Sequence, residues 1–358
     1  MLTPDEVREI DKSGLYLKYE KWPSYFLETL SADVQAPEAS DVDRIIFAGM
    51  GGSGVVGDVM RDWLSHVQEK PLDVVKDYHL PRIADEETLT LILSYSGNTE
   101  EALSIIHEAL SRGSKLATIS SGGLAERICL KMKIPHTKIR GGLPPRAGFP
   151  LLFGCAALVL QRSGAIDGLE DQLHESYKFI EEVGGALTPE AGLEQNPAKK
   201  LALWIHGSLP IIYGSGLNRS VALRFKESLN ENAKMHAIAD ALPELCHNDL
   251  VAWEKELDMP RRAVFVRFRG EPPEIRERFE AVREQIEKYG SSVYEVWPPG
   301  EDLLSKMLSA IYTLDFTSIY LAILRGIDPT PTESIDEMKA RLKAKLRYLE
   351  KYTDLPLR

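Results

Sequence analysis

The apolar positions of this chain fall into two kinds of run. RIIFAGM (44–50), LDVVKDY (72–78), TLTLILSYS (88–96) and KLATIS (115–120) are short and mostly apolar, with the length and β-branched content of strands buried on both faces. Between them, apolar residues recur every three or four positions. This happens over VVGDVMRDWLSHV (55–67) and NTEEALSIIHEALSRG (98–113), the second with Asn98 at the expected cap and Glu101 three residues on. Strands alternating with helices predict a parallel sheet in an α/β layer. Residues 1–40 read as helical and irregular, broken at Pro23 and Pro37. RGGLPPRAGFP (140–150) predicts a crossing loop, FPLLFGCAALVLQRSG (149–164) a buried helix, and GGALTPEAGLEQNP (184–197) a linker.

The pattern then restarts. LPIIYGSGLNRSVALRFKESLNENA (209–233) reads as strand, Gly turn and long helix. AVFVRF (263–268) and SVYEVW (292–297) are the next expected strands, with the solvated helix EIRERFEAVREQIEKYG (274–290) between them. RIIFAGMGGSG and PIIYGSGLNRS look like one element used twice, about half a chain apart. The expected fold is therefore α/β: two similar doubly wound units with parallel sheets flanked by helices, divided as 1–150 and 151–358. The most apolar long window, LLSKMLSAIYTLDFTSIYLAIL (303–324), carries Lys306, Asp315 and several hydroxyls, so it is expected to be a core helix and not a membrane span.

Composition narrows the function classes. The 358 residues carry 43 Lys plus Arg against 54 Asp plus Glu, a formal charge of −11, so no global basic field attracts nucleic acid. A bound anion needs locally placed donors instead. Cys129, Cys155 and Cys246 are few and lack CxxC spacing, which fits a reducing compartment, and MLTPDEVREIDKSG lacks the apolar stretch of a signal peptide. The expected location is the cytoplasm. The eight histidines are scattered, with no HxH or HExxH, so no metal and no other cofactor is expected.

Two turns carry candidate chemistry. Gly49-Met50-Gly51-Gly52-Ser53-Gly54 contains GxGxxG between a strand and a helix, with Asp73 and Asp77 at about the distance of a ribose-binding acid. A dinucleotide site, another ligand held by backbone amides, or a tight turn all fit it. SYSGNTEE (94–101) is more informative. It places Ser94, Ser96 and Thr99 at the end of an apolar strand and the start of a helix, where amide N–H groups and the helix dipole favour an anion. Hydroxyls with amides suit a phosphate monoester, and no Gly-Lys-Ser/Thr ending marks a nucleotide phosphate loop. Plain capping would explain one hydroxyl but hardly three.

SYSGNTEEA resembles the phosphosugar-binding signature of sugar isomerase (SIS) domains, and MGGSG resembles the other half of that pocket, which adds Gly52 and Ser53. FKESLNENAK (225–234) and PELCHN (243–248), with the Pro144-Pro145-Arg146 loop and DPTPT (328–332), are similar to the bifunctional phosphoglucose/phosphomannose isomerase family best known from archaea, which is built of two SIS domains. That resemblance implies a metal-free aldose–ketose isomerase acting on hexose 6-phosphates through an enediol. It implies Glu231 as the base that moves a proton between C2 and C1, flanked by Asn230 and Asn232 as amides able to orient it. It implies His247 as ring-opening acid/base supplied across a homodimer interface. Arg146 would stabilise the enediolate, and Lys339, with Lys343 and Lys345 near it, would sit by the ring oxygen. Thr332 matches a Thr where single-substrate glucose isomerases carry Gln, which implies dual specificity. Other readings remain at this point. A phosphosugar sensor predicts an attached DNA-binding element or basic arm, a nicotinamide-dependent dehydrogenase predicts ribose contacts from Asp73 or Asp77, and an aminosugar-phosphate isomerase shares the superfamily.

Overall fold

The computed structural model describes residues 1–255 and 257–346. The chain forms two compact units, one made of Ser24–His174 with the segment from Pro331 on, the other of Met1–Pro23 with Glu175–Thr330. The chain passes from one to the other inside two helices and after Thr330. A linear division at residue 150 does not express this discontinuity, and the last residues of the expected 151–358 unit, 347–358, lie outside the described residues.

In the first unit β1 (Arg44–Ala48), β2 (Leu72–Val75), β3 (Thr88–Leu93), β4 (Lys115–Ser120) and β5 (His136–Lys138) make a sheet in the order β2-β1-β3-β4-β5, parallel at every pairing. All six residues of β3 are buried, as its continuous apolar run requires. The helices between the strands, α1 (Gly51–Leu64), α2 (Glu100–Ser111) and α3 (Gly123–Met132), cover the sheet, and Ile46, Ile92, Leu103 and Ile106 pack into one core cluster. A short 3-10 turn, Pro145–Gly148, leads into α4 (Phe149–Arg162), which is buried along nearly its whole length. The expected crossing loop is therefore ordered.

The second unit repeats the plan with β6 (Leu209–Ser215), β7 (Ile238–Leu242), β8 (Arg261–Val266) and β9 (Ser292–Val296), all parallel in the order β7-β6-β8-β9. Its helices include α5 (Pro197–Ile205), α6 (Arg219–Glu231), α7 (Pro273–Lys288) and α8 (Leu303–Leu324). The expected linker 184–197 is no free spacer. Residues 184–187 end a helix, and the Asn196 side chain caps α5 by accepting from Lys199 N at 3.0 Å. Helix α8 is long and apolar enough to cross a membrane, yet 94% of its most apolar window is buried inside the protein, as a core helix would be. The N-terminal segment packs on it: Trp22 stacks on Tyr312 with ring centroids 5.0 Å apart, and Tyr312 Oη donates to Tyr19 O at 2.8 Å.

Candidate active site

A strand order of β2-β1-β3 reverses direction between β1 and β3. In open parallel sheets the crevice at such a switch point, outside the carboxyl ends of the strands, is where ligands bind. The loops that leave β1 and β3 are 49–54 and 94–99, the two motifs singled out by sequence. Helix α1 starts at Gly51, four residues earlier than its periodicity predicts, so Gly52 and Ser53 lie in its first turn. The Ser53 hydroxyl accepts from Tyr95 N at 3.1 Å and ties the two loops together. Ser94 Oγ donates to Thr99 Oγ1 at 3.0 Å. Thr99, not Asn98, is the cap residue of α2, and its hydroxyl makes no capping bond. Asn98 Oδ1 instead accepts from Leu124 N at the start of α3. Ser96 is exposed and its hydroxyl accepts from Asn98 N at 3.2 Å. Simple capping thus does not account for the hydroxyl cluster. Two helix N-termini and the hydroxyls of Ser53, Ser94 and Thr99 belong to the loops at one switch point.

Close approach shapes this crevice. A Cβ on Gly52 would lie 3.1 Å from Arg146 Cα, so glycine lets the Pro145–Gly148 turn sit against the start of α1. Arg146 is 5% exposed, a buried guanidinium and no surface-loop arginine. Gly97 has φ +64°, and a Cβ there would fall onto Gly122 O. Sequence reasoning missed Tyr95, which braces the loop at this crevice. Its hydroxyl donates to Arg140 O and accepts from Leu143 N, both at 2.9 Å, and so fixes the loop that ends in Arg146. Burial pushes the Tyr95 hydroxyl pKa up. Burial and the neighbouring Glu101 charge likewise push the Glu100 carboxyl up in the first turn of α2, against a hydrogen bond from Tyr78. Lys76, two residues ahead of Tyr78, is paired at 2.5 Å with Asp58 of α1.

The remaining candidates divide between the units. In the second unit, Glu231 is the last residue of α6 and half-buried, with Asn232 fully buried behind it. Asn230 Nδ2 donates to Met235 O at 2.8 Å and Lys234 Nζ to Glu231 O at 2.5 Å, which folds the turn after the helix. His247 is exposed on the 3-10 turn Glu244–His247. The segment beyond it is anchored by a hydrogen bond from the buried Tyr213 hydroxyl to Asp249 and by Trp253 Nε1 donating to that hydroxyl at 2.8 Å. In the first unit, Thr332 directly precedes α9 (Glu333–Leu346), and its carbonyl accepts from Ile335 N and Asp336 N. Lys339 is exposed on α9. Among the described residues no group of three or more His, Cys, Asp or Glu side chains is placed to hold a metal ion.

Comparison with known proteins decides the family. Residues 39–125 match the SIS domain, and residues 194–342 match the bacterial phospho-glucose isomerase C-terminal SIS domain. The chain is 33% identical over 308 residues to the bifunctional phosphoglucose/phosphomannose isomerase of Caldicellulosiruptor bescii, covering 85% of this chain and 91% of that one. It is 32% identical over 318 residues to the protein of the same name from Aquifex aeolicus, covering 86% and 93%. This chain belongs to the bifunctional phosphoglucose/phosphomannose isomerase family. The fold agrees: a glucose-6-phosphate isomerase like protein from Thermus thermophilus superposes with a TM-score of 0.64 at 21% identity over 95% of this chain and 98% of that one. As a member of a family of isomerases the chain is an enzyme, and its two parallel-sheet units are the two SIS units expected from the sequence.

Proposed function

We propose that this isomerase interconverts glucose 6-phosphate and mannose 6-phosphate with fructose 6-phosphate through an enediol or enediolate. The observation that carries this reading is the hydroxyl cluster of Ser53, Ser94 and Thr99 beside the first turns of α1 and α2, in a chain whose relatives bear that name. The substrate phosphate is assigned to that cluster with Gly52 and Ser96, where helix dipoles and neutral donors meet its charge. Glu231 takes the proton from C2 and returns it to C1, and Arg146 neutralises the enediolate oxygen as charge develops. His247 opens the ring and Lys339 lies by the ring oxygen. Proton transfer by these groups calls for no metal. Thr332 leaves room for rotation about C2–C3, so both C2 epimers reach one enediol.

The proposal includes a cytoplasmic homodimer in which the partner supplies His247. The exposure of His247 and of Val251 four residues on, 62%, supports an interface at this turn. A coupled assay for fructose 6-phosphate from each hexose phosphate, run with EDTA, tests the reaction. Turnover of both substrates is expected, and loss of turnover on chelation would overturn the metal-free mechanism. Mixing inactive His247→Ala and Glu231→Gln chains, with subunit exchange demonstrated, should recover activity. No recovery would place both residues in service of the same chain.

A further inference from the structure

The helix that carries Glu231 is held by a buried polar seam. Arg224, Ser228 and Glu231 are spaced by four and three residues, which puts them on one face of α6. Helix α6 packs against α8, and polar groups join the two at that face. Asp315 of α8 accepts from Arg224 through Oδ2, at 2.6 Å from Nη2 and 3.2 Å from Nε, and from Ser228 Oγ through Oδ1 at 2.6 Å. One turn further along α8, Ser318 Oγ donates to Asp315 O at 2.6 Å and accepts from Asn232 Nδ2 at 2.8 Å. Asp315, Ser318 and Asn232 are wholly buried, and Arg224 is 2% exposed. Burial pushes the Asp315 carboxyl up, while the Arg224 charge and the Ser228 hydroxyl pull it back.

Stability alone is a poor reason for such a seam. Stripping two charges of water costs several kcal/mol per ion, and well-packed apolar residues of the same volume often serve as well. Apart from Asp315, Lys306 and its hydroxyl residues, helix α8 is apolar, and nearly all of it is buried, so apolar packing was available. The seam adds direction. A carboxylate that takes a two-pronged guanidinium on one oxygen and a hydroxyl on the other accepts one azimuth and one register of α6. The tie from Ser318 to Asn232 then fixes the residue next to Glu231. A reacting group displaced by about 1 Å loses on the order of 10²-fold in rate, so a proton-transfer group at a helix end needs this kind of restraint.

We infer that Asp315 and Ser318 are positioning residues for Glu231, holding its helix end through Arg224, Ser228 and Asn232. The inference rests on reading Glu231 as the proton-transfer group. Ser318→Ala removes the acceptor for Asn232 and leaves the ion pair in place. Its kcat should fall about 10-fold with KM within about 2-fold, and Ser318→Thr, which keeps the hydroxyl, should recover most of the loss. In a Glu231→Gln background the same change should lower the residual rate no further, because the seam acts only through Glu231. Ser228→Ala, which removes one bond to Asp315, should repeat the pattern and serves if Ser318→Ala does not fold. If Glu231→Gln is inactive while Ser318→Ala and Ser228→Ala turn over normally, lose KM in place of kcat, or add their losses to that of Glu231→Gln, the positioning role is overturned and the base assignment stands. If Glu231→Gln itself turns over normally, the base assignment is overturned, and the positioning role with it.

Discussion

The two sheets share a strand order up to their fourth strand, and each has a switch point, between β1 and β3 in one and between β6 and β8 in the other. Their crevices have opposite contents. At the first switch point the chain supplies Gly52, small hydroxyls and two helix N-termini. At the second, the Asn218 side chain occupies the turn: its Oδ1 accepts from Ser215 N at 2.6 Å, and its Nδ2 donates across the switch point to Val266 O at 3.0 Å. The next residue after β8, Arg267, is 2% exposed and bound to Glu271, Glu280 and Glu295, with its guanidinium over Phe279 and Trp297. The backbone plan alone therefore does not make an anion site. One unit lines its switch point with small hydroxyls and helix N-termini, and the other fills it with its own Asn218 side chain and surrounds its arginine with carboxylates.

Substitutions can break this contrast or sharpen it. The largest effect is expected at Glu231, in the unit with the closed crevice. Glu231→Gln should lower kcat by at least ~10³-fold while a phosphorylated inhibitor binds within a few-fold, since the amide keeps the shape and cannot take the proton. Steady-state kinetics and calorimetry of the purified variant measure both. In the open crevice, Ser94→Ala and Thr99→Val should each raise KM for hexose 6-phosphates by ~1–3 kcal/mol of lost hydrogen bonding to a charged group. The matching change in the closed crevice, Asn218→Ala, should leave KM alone and cost ~1–3 kcal/mol of stability, because buried groups lose their partners. Equal KM effects on the two sides would erase the contrast.

Thr332→Gln should shift the mannose-to-glucose ratio of kcat/KM by ~10- to 100-fold against mannose 6-phosphate, by filling the space in which C2 turns. An unchanged ratio would leave Thr332 as the residue that starts α9 and nothing more. The smallest effect is a pH dependence. Burial pushes the Glu295 carboxyl up, but hydrogen bonds from Arg267, Trp297 and Arg283 outweigh it and hold the pKa below its ordinary value. A lowered folded-state pKa contributes stability above the ordinary carboxylate range and loses it as pH falls through the folded value. Glu295→Gln should flatten the acid side of the stability curve, and urea titrations across that range read the slope.

How much of this was legible in the sequence follows from what each signal depends on. Strands β1, β3, β4, β6 and β8 announce themselves as apolar runs because both faces are covered, whereas the edge strand β9 is marked by its Val and Tyr residues. The short strands β5 and β7 pass unnoticed, since three residues of HTK and the five of IADAL carry no period. Strand β2 stops at Val75, short of the polar KDY that its expected range included. At the site, residue types in SYSGNTEE reveal a hydroxyl cluster at a helix start, but Tyr95 reads as a spacer between two serines, and its bonds to Arg140 and Leu143 are known only once the chain has folded. The seam from Asn232 to Ser318 spans 86 residues and leaves no local pattern at all. Family resemblance brought Glu231 and His247 forward, whereas their own surroundings in sequence look like any helix end and any polar turn.

The docking of Tyr19 and Trp22 on α8 bears on the order of assembly. Tyr19 and Tyr312 are 293 residues apart, and at ~5–20 residues per second a ribosome needs roughly 15–60 s to synthesise the stretch between them. Over that time nearly all of the five-stranded unit emerges from the exit tunnel, while Tyr19 and Trp22 wait with their rings in water. The aromatic face of the first segment is thus a late-closing clasp on a nascent chain. Its closure marks the completion of the second core.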